Sequence, residues 1–248
     1  MSGILNVLLA DNAGSSATST YNGVTNFSTT KLFSRTPGSS GSQRIFTFSC
    51  WIKRVGTASQ AYFWMGDTGA TTNSVILGFN SSDKFIIGFS GAVNSIVTTN
   101  SFASTTGWYH VTMAIDTGQA TAANRVHLYV NDTEPSLSSS SYMAQNSDMR
   151  VNTSSFTVNQ GGNPFASSNL IMAYPPFVDG TQGTYTDFNQ SGGSGKVPKA
   201  YTGSFGTNGY AQTFSNTSSL GTDSSGNSNT LAVGSLTSGD ASSQTVTF

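Results

Sequence analysis

The stretch GWYHVTMAIDTGQATAANRVHLYVND, residues 107–132, decides the fold of this chain. Two runs of alternating apolar and polar residues flank a polar loop, which is the pattern of a β-hairpin with one buried face. The predicted buried positions are Tyr109, Val111, Met113, Ile115, Val126, Leu128 and Val130. The hairpin can be a catalytic element, a metal site or the middle of a β-sandwich.

The same hairpin holds both histidines of the chain, on its predicted polar face. With the loop centred between residues 120 and 121, His110 lies across from Asn131 and His127 lies across from Ala114. Four residue steps then separate the imidazoles, on the order of 13 Å at a rise of about 3.3 Å per residue. We therefore do not expect the two histidines to share a zinc ion.

Similar short runs recur along the chain between loops rich in Gly, Ser, Asn and Asp. They lie at residues 44–54, 61–65, 74–79, 84–89, 155–158 and 169–174. In the first run every second residue is apolar and faces the same way: Phe46, Phe48, Cys50 and Ile52. This repeat of two residues is typical of a β-strand. No helical periodicity persists for more than about two turns. The pattern predicts an all-β fold, and an antiparallel jelly-roll β-sandwich suits 248 residues best.

We predict three segments. Residues 1–30 form an extended N-terminal arm that packs on a neighbouring subunit, and residues 31–236 form the β-sandwich. The part after residue 175 is Gly/Ser-rich with isolated aromatics, so it is either an extended arm pinned by those rings or a strand-poor lobe against the sandwich. Residues 237–248 are a final strand or a docking tail.

Charge is scarce on this chain: 8% of the residues are charged and the net charge is -1, against about 25% charged residues in an ordinary domain. Long-range attraction to nucleic acid or to an anionic membrane is therefore not expected.

The one cysteine, Cys50, excludes an intramolecular disulfide. The apolar run near the start is too short for a membrane span and has no basic residue before it, so we expect synthesis in the cytoplasm without a signal peptide.

Carboxylate chemistry is the main test for an enzyme of this fold class. Glycoside hydrolysis usually needs two carboxylates beside the scissile bond, and the chain has a single glutamate, Glu134. Asp132 lies two residues before it, but the neighbouring Pro135 indicates a turn. No strand carries an alternating acidic cluster, so we predict no catalytic residue and rank a polysaccharide-degrading glycosidase third among the functions.

Calcium is the metal that this sequence favours, because it takes carboxylate, amide and backbone oxygens from loops. Residues 178–187 and 222–229 supply such oxygens around glycines. The candidate ligands are Asp179, Asp187, Asp223 and Asn227. The alternative is that Asp-Ser-Ser-Gly-Asn, residues 223–227, is simply a good turn. We predict no other cofactor.

Sugar binding usually needs an aromatic ring beside amide and hydroxyl groups. Trp51 falls on the polar phase of its strand, opposite to Cys50 and Ile52. It is therefore the candidate glycan contact, together with Asn131 and Asp132. The alternative is that a neighbouring loop or subunit covers this tryptophan.

Three segments carry a family resemblance: FTFSCWIKR, the opening hairpin, and KVPKAYTGSFGTNGYAQTFSNTSSLGTDSSGNSNT at residues 196–230. Together they resemble the concanavalin A-like lectin/glucanase (LamG/pentraxin-like) modules of bacteriophage particle proteins, especially those of marine phages. The likeness extends over residues 32–230. Residues 108–111 and 128–131 mark the general fold, whereas residues 197–204 and 223–227 point to the phage group.

The resemblance implies a two-sheet jelly roll on the exterior of a virion that binds glycans on the host surface, as part of a tail fibre or appendage. It does not imply catalysis, since the Glu-x-Asp-x-x-Glu strand of the glucanases is missing. The alternative is a capsid decoration or assembly subunit without glycan binding. The partners expected are other virion proteins, further copies of this chain, with a trimer implied by the resemblance, and host polysaccharide.

Overall fold

The computed structural model describes residues 20–56, 60–67, 72–161, 169–192 and 195–248, and within them nearly all regular structure is β-strand. Short 3₁₀ turns occur at Ala122–Arg125, Tyr185–Asp187 and Ser238–Asp240. The strands are β1 (Thr20–Val24), β2 (Phe33–Arg35), β3 (Ile45–Arg54), β4 (Ala61–Gly66), β5 (Val75–Phe79), β6 (Phe85–Phe89), β7 (Ala92–Thr98), β8 (Trp108–Asp116), β9 (Val126–Val130), β10 (Leu137–Ser140), β11 (Val158–Gln160), β12 (Leu170–Ala173), β13 (Phe177–Asp179), β14 (Asn189–Gly192), β15 (Gly195–Pro198), β16 (Ala232–Val233) and β17 (Ala241–Thr245).

Two antiparallel sheets pack face to face. In sheet A the strand order is β17-β1-β12-β3-β8-β9, and β13 also pairs with β3. In sheet B the order is β10-β7-β6-β5-β4-β11-β2-β16. Neighbouring strands in space are often distant in sequence, as expected for a jelly roll. The predicted all-β sandwich is therefore confirmed.

The register of the opening hairpin is the one that the sequence predicts. Val111 pairs with Val130, and Ala114 pairs with His127. The backbone N–H of Asn131 donates to the carbonyl of His110, 2.9 Å away. This register puts the two histidines at opposite ends of the hairpin.

The space between the sheets is filled by the alternating apolar side chains. The inward positions predicted on β3, namely Phe46, Phe48, Cys50 and Ile52, all belong to this core. The predicted apolar positions of β8 and β9 pack in the same cluster, with Tyr109 at its margin. Burial raises the pKa of the Cys50 thiol, which marks it as an inert core residue.

The first part of the Gly/Ser-rich region after residue 175 forms a strand-poor lobe on the outer face of sheet A, whereas its later part packs in the core between the sheets and pairs β16 with β2 of sheet B. Strands β14 and β15 make a separate hairpin in the lobe. A second apolar cluster fills the space under the lobe: Tyr174, Val178, Phe188, Phe205 and Ala211. As a result, polar side chains on the outer face of β3 are covered and do not contact solvent. Thr47 and Ser49 are fully buried, and Thr47 donates to the carbonyl of Thr181.

Both ends of the described chain join sheet A. Strand β1 lies between β12 and β17, so the sandwich begins before the boundary expected at residue 30, and residues 20–24 are not an arm. Residues 1–19 of the predicted arm lie outside the described residues. At the other end, β17 (Ala241–Thr245) lies within residues 237–248. The described segments contain no helix with the length and hydropathy of a membrane span.

Candidate functional site

The three residues predicted to contact glycans all lie around His110. The indole of Trp51 is stacked on the imidazole, with 4.8 Å between ring centroids and 25° between planes. The Asn131 side-chain oxygen accepts the backbone N–H of His110 at 2.9 Å. Asn131 and Asp132 both have positive φ and lie between the bridged residues Val130 and Thr133, as in a tight hairpin turn.

A chain of hydrogen bonds connects Asp132 to the same histidine. The Asn189 amide donates to Asp132 Oδ1 at 2.5 Å and to His110 Nδ1 at 2.8 Å. His110 Nε2 therefore carries the proton and donates to Ser49 Oγ at 2.9 Å. Lys196 Nζ forms an ion pair with the other oxygen of Asp132 at 3.2 Å. Burial lowers the pKa of His110 to about 3, which keeps the imidazole neutral.

Trp51 is not available to a ligand in this arrangement. Its exposure is 0%, because Val246 and Phe248 pack over it beside Trp108. Phe248 is held there by a pair of backbone hydrogen bonds with Lys196. The exposed aromatic surface expected at Trp51 is thus not observed, and the residues that cover it belong to the same chain.

A different part of the hairpin forms an open cavity of about 190 Å³. It lies at one edge of the sandwich, between β9 of sheet A and β10 of sheet B. Its apolar lining consists of Ile96, Val126, Leu128 and Leu137. The space is well above the roughly 10–15 Å³ that one ordered water needs, so it can hold a small ligand group.

Polar groups surround the mouth of this edge cavity. His127 Nδ1 donates to Glu134 Oε1 at 2.8 Å, and these side chains are 26% and 52% exposed. Tyr142, which carries a hydroxyl, and Asn124, which carries a side-chain amide, also line the cavity. Within the described residues, His127 Nε2, Glu134 Oε2 and these two groups form no hydrogen bond. Four polar groups can therefore contact a ligand without losing an internal partner.

A row of rings continues from the cavity over the outer face of sheet A. The His127 and Tyr129 rings are nearly parallel, at 13°, with centroids 5.9 Å apart. Tyr185, from the loop before β14, meets the edge of Tyr129 at 5.3 Å. All three side chains are partly exposed. They can extend the contact surface for a ligand larger than the cavity.

The four predicted calcium ligands take part in hydrogen bonds that fix loops. Asp179 accepts the backbone N–H groups of Ser42 and Asn208, and Asp187 accepts that of Thr184. Asp223 accepts three backbone N–H groups, from Ala211, Ser225 and Asn229. The Asn227 amide donates to the carbonyls of Gly206 and Gly209.

These interactions occupy oxygens that a calcium ion would need, and they use Asp-Ser-Ser-Gly-Asn as a turn. Within the described segments, no three His, Cys, Asp or Glu residues are grouped so that they could hold a metal ion. Calcium binding by these residues stays a prediction.

A family model supplies the evolutionary relationship. The model Laminin_G_3, described as the concanavalin A-like lectin/glucanases superfamily, matches residues 22–170. The chain belongs to this superfamily. The match includes the opening hairpin and the whole edge cavity, and it ends before the Gly/Ser-rich lobe. A search of curated proteins found no match.

Several solved structures are similar to this chain at low sequence identity. A "putative carbohydrate binding protein" from Bacteroides ovatus aligns with 92% of this chain and 60% of its own, at 14% identity and a TM-score of 0.57. A heptameric SAP-like pentraxin from Limulus polyphemus aligns with 67% of this chain and 79% of its own, at 13% identity and a TM-score of 0.46. A Trypanosoma rangeli sialidase shares 12% identity over 58% of this chain and 22% of its own, with a TM-score of 0.41.

The Bacteroides likeness establishes the fold alone, and this chain spans about three fifths of that protein's length. The ligand and the site have to be argued from the residues of this chain. The sequence predicts His127 on a polar face and Glu134 in a turn, and no local pattern connects the two residues. The relevant signal in the sequence is Asn131-Asp132, a dipeptide suited to a tight turn, which returns the chain so that Glu134 reaches β9.

Proposed function

We propose that this chain is a non-catalytic carbohydrate-binding module on the surface of a bacteriophage particle, where it attaches to polysaccharide of the host. The observation that carries the glycan-binding part is the edge cavity, in which four polar side chains, each with an atom that forms no hydrogen bond within the described residues, line a space with an apolar floor. Sugars present hydroxyls around apolar C–H faces, so such a lining suits them. Superfamily membership agrees with this chemistry.

The virion part of the proposal rests on sequence. Residues 197–204 and 223–227 resemble phage particle proteins, and the low charge suits a surface whose interactions change little with salt. We further propose that several copies act together, as a trimer or larger homo-oligomer on other virion proteins, because weak sites gain avidity when they are multiplied.

A binding role is favoured over hydrolysis by the partners of the two carboxylates considered for catalysis. Asp132 is engaged by Asn189 and Lys196, whereas Glu134 is engaged by His127 at the cavity. Asp132 does not line the cavity. The two acids therefore do not face one substrate, as a glycosidase pair would have to.

A panel of bacterial envelope glycans tests the binding proposal, with the purified chain presented both as it is and on multivalent beads. Wild type should bind at least one glycan saturably, and Glu134→Gln should weaken binding about tenfold. Asp148→Asn is the matched control, because Asp148 is an exposed carboxylate paired with Arg44 elsewhere on the surface. Absence of binding on beads would contradict the proposal and favour the decoration subunit. Release of shortened sugars would instead show an enzyme.

The location on the virion needs a separate experiment. Immunogold labelling of intact particles with antibodies against the chain should decorate their exterior. Labelling only after the particles are disrupted, or none at all, would contradict the virion part and leave the glycan-binding part standing.

A further inference from the structure

The polar groups of the edge cavity differ in what they can offer a ligand. A carboxylate oxygen accepts hydrogen bonds, so His127 Nδ1 donates the proton in its contact with Glu134 Oε1. In the neutral imidazole, His127 Nε2 is then an acceptor as well. The Tyr142 side chain packs against the core, and its hydroxyl can donate a hydrogen bond. The cavity therefore presents two acceptors and a donor around its floor.

The floor itself is aliphatic. Val126 and Leu128 are core side chains of β9, Ile96 comes from β7, and Leu137 contributes from β10. A ligand that places only hydroxyl groups in this space would leave some of them without partners, at a cost in affinity. A ligand with one methyl group beside a hydrogen-bond donor and an acceptor would match the lining.

The charge around the cavity argues against acidic sugars. Glu134 repels a carboxylate at the mouth of the cavity. Arg125, which ends the 3₁₀ turn before β9, directs three guanidinium N–H groups to the backbone carbonyls of Gln119, Ala120 and Met143. Uronic and sialic acids would thus meet a negative group beside the cavity.

From these groups we infer that the edge cavity selects sugars with an N-acetyl group, and that it holds the acetamido arm of one N-acetylhexosamine unit. The methyl group lies against Val126 and Leu128, the amide N–H donates to Glu134 Oε2, and the carbonyl oxygen accepts from the Tyr142 hydroxyl. The rest of the pyranose faces His127 and continues along Tyr129. This inference rests on the proposed glycan-binding function and names its ligand class.

Three β-1,4-linked glucose-type trisaccharides that differ only at C2 provide the test: N,N′,N″-triacetylchitotriose, cellotriose and the deacetylated triglucosamine. Each is titrated into the wild-type chain and followed by saturation-transfer NMR and by chemical-shift changes of the His127 ring. The acetylated sugar should bind at least tenfold more tightly than cellotriose, with saturation transfer strongest at its acetyl methyl. Equal affinity for cellotriose would overturn the inference. Tighter binding of the cationic triglucosamine would also overturn it and show simple attraction to Glu134.

Variants connect the selectivity to the cavity. Tyr142→Phe should reduce the preference for the acetylated sugar over cellotriose about fivefold. Tyr201→Phe is the matched control, because it removes a hydroxyl in the Gly/Ser-rich lobe. An undiminished preference in Tyr142→Phe would contradict the assigned donor and the inference. If no trisaccharide binds but the envelope panel does, the ligand class is wrong and the proposed function stands.

Discussion

The ring of Phe248 lies against the indole of Trp51, with 5.4 Å between the ring centroids. His110 also stacks on the indole, so the tryptophan is covered by residues of its own chain. Among the described residues, the buried Trp51 Nε1 has no hydrogen-bond partner. The contacts of these rings fix residues 246–248 onto sheet A and make Trp51 a structural residue.

Substitution of Trp51 should therefore affect stability and not glycan binding. Trp51→Phe should lower the free energy of unfolding by about 1–3 kcal/mol through lost packing, because the site is fully buried. Phe248→Ala should cost less, since the Phe248 side chain is only partly buried. Urea denaturation measures both effects. A folded Trp51→Phe variant that no longer binds glycans would show instead that Trp51 belongs to the glycan-binding site.

The buried His110 predicts a loss of stability in mild acid. The unfolded chain takes up a proton on this histidine below about pH 6.5, whereas the folded chain resists protonation down to about pH 3 because burial lowers its pKa. Stability should fall as the pH drops below 6.5, with a slope of up to about 1.4 kcal/mol per pH unit from this group.

Denaturant midpoints between pH 7.5 and 5 measure that slope, above the range in which carboxylates titrate. His110→Gln should flatten it, and His127→Gln, which changes the only other histidine, serves as the comparison. An unchanged slope in His110→Gln would show that His110 is not the group responsible.

Chelation tests the predicted calcium ligands directly. Because Asp223 accepts three backbone N–H groups, its loop is held by bonds within the chain, and EDTA lowers the Tm only where bound calcium adds to them. Asp223→Ala should lower stability by about 1–3 kcal/mol, since it leaves those donors unpaired. A Tm that rises with calcium, and no longer does so in Asp223→Ala, would establish the calcium site instead.

The strand pairing of the central hairpin could be predicted from sequence. The alternation of apolar and polar residues leaves little freedom in the register of its two strands. A slip of one residue would turn Val111 and Val130 away from the core, so the pairing and the opposite positions of the histidines could be predicted. The same pattern identifies Trp51 as outward-facing, but it contains no information on what packs there. That cover comes from residues 246–248, almost two hundred residues later in the chain.

The edge cavity was less predictable for a related reason. It combines β9 with residues from β7 and β10 of the other sheet, and strand order in a jelly roll is not encoded in local periodicity. His127 and Glu134 are seven residues apart, and only the turn at Asn131 and Asp132 brings them into contact. The Gly/Ser-rich lobe likewise depends on isolated aromatic residues without a regular spacing.

The measurement that tests the edge cavity most directly is a chemical-shift map of the chain with the tightest-binding glycan of the envelope panel. If the edge cavity binds the glycan, the signals of the His127 ring, the Tyr142 ring and the Leu128 methyl groups should shift. The chemical shift of the Trp51 indole N–H should stay the same. Shifts concentrated at Trp51 and Phe248, with the His127 and Tyr142 signals unchanged, would contradict this assignment.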